Sequence, residues 1–142
     1  MNDYPEDMSK EIDEAIRAGR KALDSLRSAD DQLDKALKYG LWDMFGGRFT
    51  ATLLKHSRMD DAQYYIDKAR EDLQVFNREL SDVSEYLDIQ VQMDDFMTFA
   101  DYFFDGFFAD YLVQKKISEA KDRTEQAIEE VQTVLTKLRM MR

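Results

Sequence analysis

The stretch that decides the fold is residues 60–88, DDAQYYIDKAREDLQVFNRELSDVSEYLD. Its apolar side chains recur at alternating spacings of four and three residues: Ala62, Ile66, Ala69, Leu73, Phe76, Leu80, Val83 and Leu87. That spacing places all of them on one face of an α-helix, whereas a strand would alternate every second residue. Asp60 and Gln63 fit a helix cap and its partner three residues later. The stretch therefore predicts a helix over residues 60–88.

The same kind of periodicity continues on both sides of this stretch. Between residues 8 and 38, one heptad column holds Met8, Ala15, Ala22, Ala29 and Ala36, and the other holds Ile12, Gly19, Leu26 and Leu33. The small side chains allow a neighbouring helix backbone to approach closely. Residues 28–31 resemble a capping box, but the heptad phase passes through them unbroken, so we predict one helix over 8–38. A third apolar frame predicts a helix over 95–140, with a kink near Gly106.

Three long helices with short or moderate connections predict an all-α fold. We expect an elongated, antiparallel, coiled-coil-like three-helix bundle in up-down-up order, forming a single domain over residues 1–142. The second helix is acidic and the third is locally basic, so as antiparallel neighbours they should attract each other. Residues 40–58 are predicted to be a connector with a short extra helical segment after Gly47. In heptads and helix length the chain resembles spectrin-type and other three-helix coiled-coil modules, and this likeness carries no function.

Composition excludes several classes of function. The chain of 142 residues has no cysteine, one histidine and a formal net charge of -10. It therefore has no thiolate metal site, no cysteine nucleophile and no histidine-rich metal site. Its negative charge repels nucleic acid and anionic membrane surfaces, and no stretch of about 18 residues is free of charge, so we expect no membrane span. We predict a cytoplasmic protein with no enzyme activity, no cofactor, no metal and no nucleic-acid partner.

Residues 40–58, GLWDMFGGRFTATLLKHSR, are the first candidate site. They hold the only tryptophan and the only histidine, and they are locally basic in an acidic chain. Glycines ahead of a short helix could offer free backbone N–H groups to an anion. The candidate ligand-binding residues are Trp42, Asp43, Gly46, Gly47, Arg48 and His56. The alternative is a plain connector whose apolar side chains cap the bundle core.

An aromatic block over residues 96–111 is the second candidate, with eight aromatic side chains in sixteen residues. The candidate interaction residues are Phe103, Phe104, Phe107, Phe108 and Tyr111. Aromatic side chains dominate interface energetics, so the block could join two copies in a homodimer. The alternatives are a bundle end plugged by aromatic rings and an apolar ligand pocket.

These patterns favour a non-catalytic helical interaction or scaffold module that binds a protein partner or associates with itself. The alternative function is a protein that binds a small anion or another small ligand through Gly40–Arg58.

Overall fold

A computed structural model describes the backbone of residues 6–44, 48–84 and 114–142, and the side chains of residues 8–38, 61–83 and 117–142. Three helices make up these ranges: α1 (Glu6–Met44), α2 (Arg48–Ser84) and α3 (Gln114–Met140). α1 packs against both α2 and α3, and no strand occurs in these three ranges. The all-α bundle predicted from the heptads is therefore confirmed. None of the described helices has the length and apolar content needed to cross a bilayer.

The first two helices are longer than predicted. α1 passes through Gly40 and ends at Met44, while α2 begins at Arg48 instead of near residue 60. Residues 48–58 are therefore the first turns of α2, not a separate short helix. A single glycine costs a helix only about 1 kcal/mol, so Gly40 is not sufficient to end α1. The kink predicted near Gly106 lies outside the described residues, as does the first part of the helix predicted over 95–140.

α1 buries the column of small residues that its heptads predict. The four alanines of this column have no exposed surface: Ala15, Ala22, Ala29 and Ala36. The helix continues without a break through residues 28–31, which confirms the prediction of a single helix there. At Gly19, an added Cβ would lie 2.7 Å from Leu135 of α3 and 2.9 Å from Phe76 of α2. Side chains of α2 and α3 therefore meet the backbone of α1 at Gly19.

Polar contacts between α1 and α2 establish the direction of α2. The Ser25 hydroxyl donates a hydrogen bond of 2.5 Å to Oδ2 of Asp72, and both side chains are buried. Lys21 Nζ lies 3.8 Å from Oδ1 of the same carboxylate. Glu14 precedes Ser25 in α1, and its carboxylate lies within 4.8 Å of the carboxylate of Glu79, which follows Asp72 in α2. The two helices are therefore antiparallel, and the Ser25–Asp72 bond fixes their register because a buried carboxylate without a donor is costly.

Ion pairs between α1 and α3 establish the direction of α3. Lys121 Nζ lies 3.1 Å from Oδ1 of Asp30 and 2.5 Å from Oε1 of Glu125 on its own helix. Burial raises the pKa of Asp30, and the Lys121 ammonium opposes that rise. Toward the start of α1, Asp13 pairs with Arg142 at the other end of α3. α3 is therefore antiparallel to α1 as well.

The up-down-up order is wrong for the third helix. Since α2 and α3 are both antiparallel to α1, they run parallel to each other, and in the described ranges none of their Cα atoms approach within 8 Å. Alternation is expected only when connections are short. Residues 85–113 would span roughly 40 Å even at the rise of a helix, which is enough to join opposite ends of the bundle. The attraction expected between α2 and α3 as antiparallel neighbours is wrong for the same reason.

Candidate functional site

The candidate residues predicted from the sequence mostly lie outside the described part of the structure. The helices divide the segment 40–58: Trp42 and Asp43 belong to the last turn of α1, and Arg48 and His56 belong to the first turns of α2. Gly46 and Gly47 lie outside the described residues, as do the side chains of the other four. The interaction candidates also lie outside them: Phe103, Phe104, Phe107, Phe108 and Tyr111. Both sites therefore stay predictions.

A cleft rich in arginine lies between α1 and α3, at the end of the bundle where α3 finishes. Its volume is about 390 Å³, and the residues that line it are Asp13, Ile16, Arg17, Arg20, Arg139 and Arg142. We call this set the arginine cleft. Small-ligand pockets typically have volumes of roughly 300–1,000 Å³. Four arginines and one aspartate thus line the cleft, in a chain whose net charge is -10.

Helical periodicity and chain direction explain why these arginines meet. On α1, Asp13, Arg17 and Arg20 follow one another at spacings of four and three residues, so they share one face of the helix. Arg139 lies in the last turn of α3, and Arg142 follows two residues after the helix ends at Met140. Because α3 runs antiparallel to α1, its last turn lies beside residues 13–20 of α1. The negative end of the α3 dipole stabilises cations in this last turn.

One of the four guanidinium groups has a carboxylate partner. Arg142 Nε lies 2.8 Å from Oδ1 of Asp13, and its Nη2 donates to Oδ2 at 3.2 Å. The two side chains are 63% and 30% exposed, so water screens the pair and it stabilises the fold by no more than about 1 kcal/mol. Arg17, Arg20 and Arg139 form no ion pair with any residue that the structure describes. Three guanidinium groups of the cleft are therefore uncompensated within that part of the chain.

A cluster of carboxylates lies on the α2 side of α1, at the same end of the bundle. Oxygen atoms of Glu11, Glu14 and Glu79 all lie within 4.8 Å of one another. Among the described residues, Glu11 Oε2 is a buried oxygen with no hydrogen-bond partner. Burial raises the pKa values of Glu11 and Glu79, and the carboxylates of Glu14 and Asp82 raise them further. We call Glu11, Glu14, Glu79 and Asp82 the acidic cluster.

The oxygen atoms of the acidic cluster have the chemistry that hard divalent cations prefer. Half-buried carboxylates also gather between helices with no ion bound, so their proximity does not by itself identify a metal site. Burial first, and then repulsion between the neighbouring carboxylates, disfavours the charged forms of Glu11 and Glu79 and raises their pKa values.

No protein-family model, curated protein or solved structure matches the chain. Its function therefore has to be argued from its own residues. The arginine cleft is not among the sites predicted from the sequence, although the sequence contains two arginine pairs with a spacing of three residues, Arg17 with Arg20 and Arg139 with Arg142. Whether the two arginine pairs lie side by side depends on the direction of α3. In the up-down-up order α3 runs parallel to α1, which would place Arg139 and Arg142 at the opposite end of the bundle from Arg17 and Arg20.

Proposed function

We propose that the protein is a non-catalytic helical interaction module that binds an anionic partner in the arginine cleft. The observation that carries this proposal is that four arginines and a single carboxylate line one cleft between α1 and the end of α3. A guanidinium group keeps its proton at physiological pH. It can therefore hold an anion but cannot act as a general acid or base, which favours binding over catalysis.

Electrostatics favour a partner that enters the cleft. The net charge of the whole chain, -10, repels anions at a distance. The Debye length is about 8 Å at physiological ionic strength, so distant carboxylates are screened while the guanidinium groups contact the bound anion directly. Exposed arginine side chains lose conformational freedom on binding. A partner that bridges several of them at once is therefore favoured over one that meets a single arginine.

A panel of anions tests this function. Sulfate, citrate, inorganic phosphate and pyrophosphate would each be titrated into the protein by isothermal titration calorimetry, and into Arg20→Ala and Arg139→Ala. We expect at least one anion to bind and both variants to weaken that binding. Arg27→Ala is the matched control, because Arg27 is an exposed arginine of α1 outside the cleft. The proposal is wrong if no anion binds, or if the control weakens binding as much as the cleft variants do.

We also propose that the module acts in the cytoplasm and forms a homodimer through the aromatic block over residues 96–111. Eight aromatic side chains in sixteen residues support self-association, since more apolar surface is available than one bundle end readily buries. Two copies joined in this way would carry two arginine clefts. A partner with two anionic groups would then bind the dimer more tightly than a single copy.

A further inference from the structure

We propose that the anion bound by the arginine cleft is a small molecule with two linked phosphate groups, and that it displaces Asp13 from Arg142 when it binds. This inference rests on the proposed function and names the chemical class of the ligand.

The placement of the arginines on two helices favours phosphate over carboxylate. Arg17 and Arg20 line the cleft from α1, whereas Arg139 lines it from the last turn of α3 and Arg142 from just beyond that turn. Guanidinium groups that arrive from two sides cannot all lie in the plane of one carboxylate. A phosphate group offers oxygens in several directions, and each can accept hydrogen bonds from a different guanidinium fork.

The charge of the cleft favours two phosphates over one. Four guanidinium groups against Asp13 and the negative end of the α3 dipole leave roughly two to three positive charges uncompensated among the described residues. A phosphate monoester carries about 1.5 to 2 negative charges near pH 7, which leaves part of that charge unmatched. Two linked phosphates match it more closely. A cleft of about 390 Å³ also falls within the size range of small-ligand pockets.

The charge of the rest of the molecule favours a small ligand over a nucleic acid. A long polyanion lying across the cleft would continue over a surface whose net charge is strongly negative, and on α1 the acidic cluster lies at the same end of the bundle. A small anion stays within contact distance of the arginines. Screening over about 8 Å limits what it experiences from carboxylates farther away.

Asp13 acts in this scheme as an internal competitor. Its carboxylate occupies both donor atoms that Arg142 presents to it, at 2.8 and 3.2 Å. The pair is exposed and therefore weak, so a ligand that contacts Arg142 together with its three neighbours can replace the carboxylate. Asp13 thereby selects against singly charged anions, because one negative charge gains too little interaction energy with the arginines to replace the Asp13 carboxylate. Removing its charge should tighten binding without adding a new contact.

The test compares pyrophosphate with orthophosphate and citrate, using calorimetry on the full chain. We expect pyrophosphate to bind at least about tenfold more tightly than either of the other two. Arg20→Lys keeps the charge but removes the guanidinium fork, and it should weaken pyrophosphate binding by about tenfold. Asp13→Asn should tighten binding by about threefold or more, while Arg27→Ala should change it by less than about twofold. All three substituted positions lie on the surface or in the cleft, and circular dichroism would confirm that each variant is folded.

The outcomes separate this inference from the proposed function. If citrate binds as tightly as pyrophosphate, and Arg20→Ala still weakens both, the cleft binds anions but the phosphate assignment is wrong. If orthophosphate equals pyrophosphate, the assignment of two phosphates is wrong. If Asp13→Asn leaves the affinity unchanged, Asp13 is not displaced. If none of the three anions binds at millimolar concentration, the inference is wrong, and if sulfate does not bind either, the proposed function is wrong as well.

Discussion

Gly19 provides the sharpest test of the packing. It lies on α1 where side chains of α2 and α3 converge, and we expect Gly19→Ala to destabilise the protein. This expectation opposes the general rule for helices, because replacing an interior glycine by alanine normally stabilises a helix by about 0.5–1 kcal/mol. The sign of the measured change therefore reports the packing directly.

The size of the effect follows from the distances around Gly19. An added Cβ would lie 2.7 Å from a Leu135 methyl and 2.9 Å from two ring atoms of Phe76, whereas ordinary contact begins at 3.4 Å. Both neighbours are almost completely buried, so neither has open space on its far side. Overpacking of a core by one carbon typically costs about 1–3 kcal/mol. After subtraction of the helix-propensity gain, the net destabilisation should be about 1 kcal/mol.

Urea denaturation followed by circular dichroism measures this change. Leu135→Ala removes the nearest methyl group, so in that background Gly19→Ala should be neutral or stabilising, with a coupling energy of about 1 kcal/mol between the two positions. Stabilisation of the otherwise unchanged protein by about 1 kcal/mol on Gly19→Ala would refute the reasoning, since the glycine would then behave as an exposed one. Additive effects of the two substitutions would show that Leu135 is not the obstacle.

Three further predictions concern the acidic cluster and the two sites proposed from the sequence. Glu79→Gln should raise the free energy of unfolding at pH 7. Its folded-state pKa is raised above 4.5, so the charged form costs stability at high pH and the cost disappears as the pH falls toward 4.5. The advantage of the variant in urea denaturation should shrink over that range, and an advantage independent of pH would contradict this cause. Sedimentation at about 100 μM should show a dimer that depends on the aromatic block over 96–111, and a monomer there excludes this block as an interface. Millimolar phosphate should change the emission of Trp42 if an anion binds at residues 40–58, and this response should be lost in Arg48→Ala but kept in Arg20→Ala. A response lost only in Arg20→Ala would assign it to the arginine cleft instead.

The sequence predicts the helices and their buried faces because both depend on local periodicity. Leu73 and Phe76 are completely buried, as their heptad positions require. Helix ends were predicted less well. Gly40 matched the pattern of a helix terminus, yet the helix continues to Met44 because one glycine costs too little to end it.

The direction of α3 could not be read from the same pattern, because a heptad repeat is identical in either orientation. Only contacts between residues of different helices distinguish the two orientations of α3, as the ion pairs Asp30–Lys121 and Asp13–Arg142 do. The arginine cleft depends entirely on this direction. If α3 ran parallel to α1, Arg139 would lie far from Arg20. The arginine cleft could therefore not be predicted from the wrong topology, although each of its residues can be read from the sequence.

The distribution of charge along α1 gives an independent reason to place function at its N-terminal end. In the C-terminal half of the helix, opposite charges alternate at spacings of four residues, and Asp31 pairs with Lys35 at 3.0 Å while Asp34 pairs with Lys38 at 3.1 Å. Such pairs stabilise a helix by a few tenths of a kcal/mol each. At the other end the two signs are largely separated, because four arginines and only one carboxylate, Asp13, line the cleft on the α3 side, while Glu11, Glu14 and Glu79 lie on the α2 side.

This separation costs stability on the α2 side, because burial and repulsion between carboxylates raise the pKa values of Glu11 and Glu79. On the α3 side it leaves Arg17, Arg20 and Arg139 without a carboxylate partner among the described residues. The C-terminal half of α1 shows that this sequence can also place opposite charges next to one another in ion pairs. Local departures from the arrangement that best stabilises a fold are expected where a protein binds something. The arginine cleft is the side of this departure that has both the open volume and the uncompensated charge to hold a ligand.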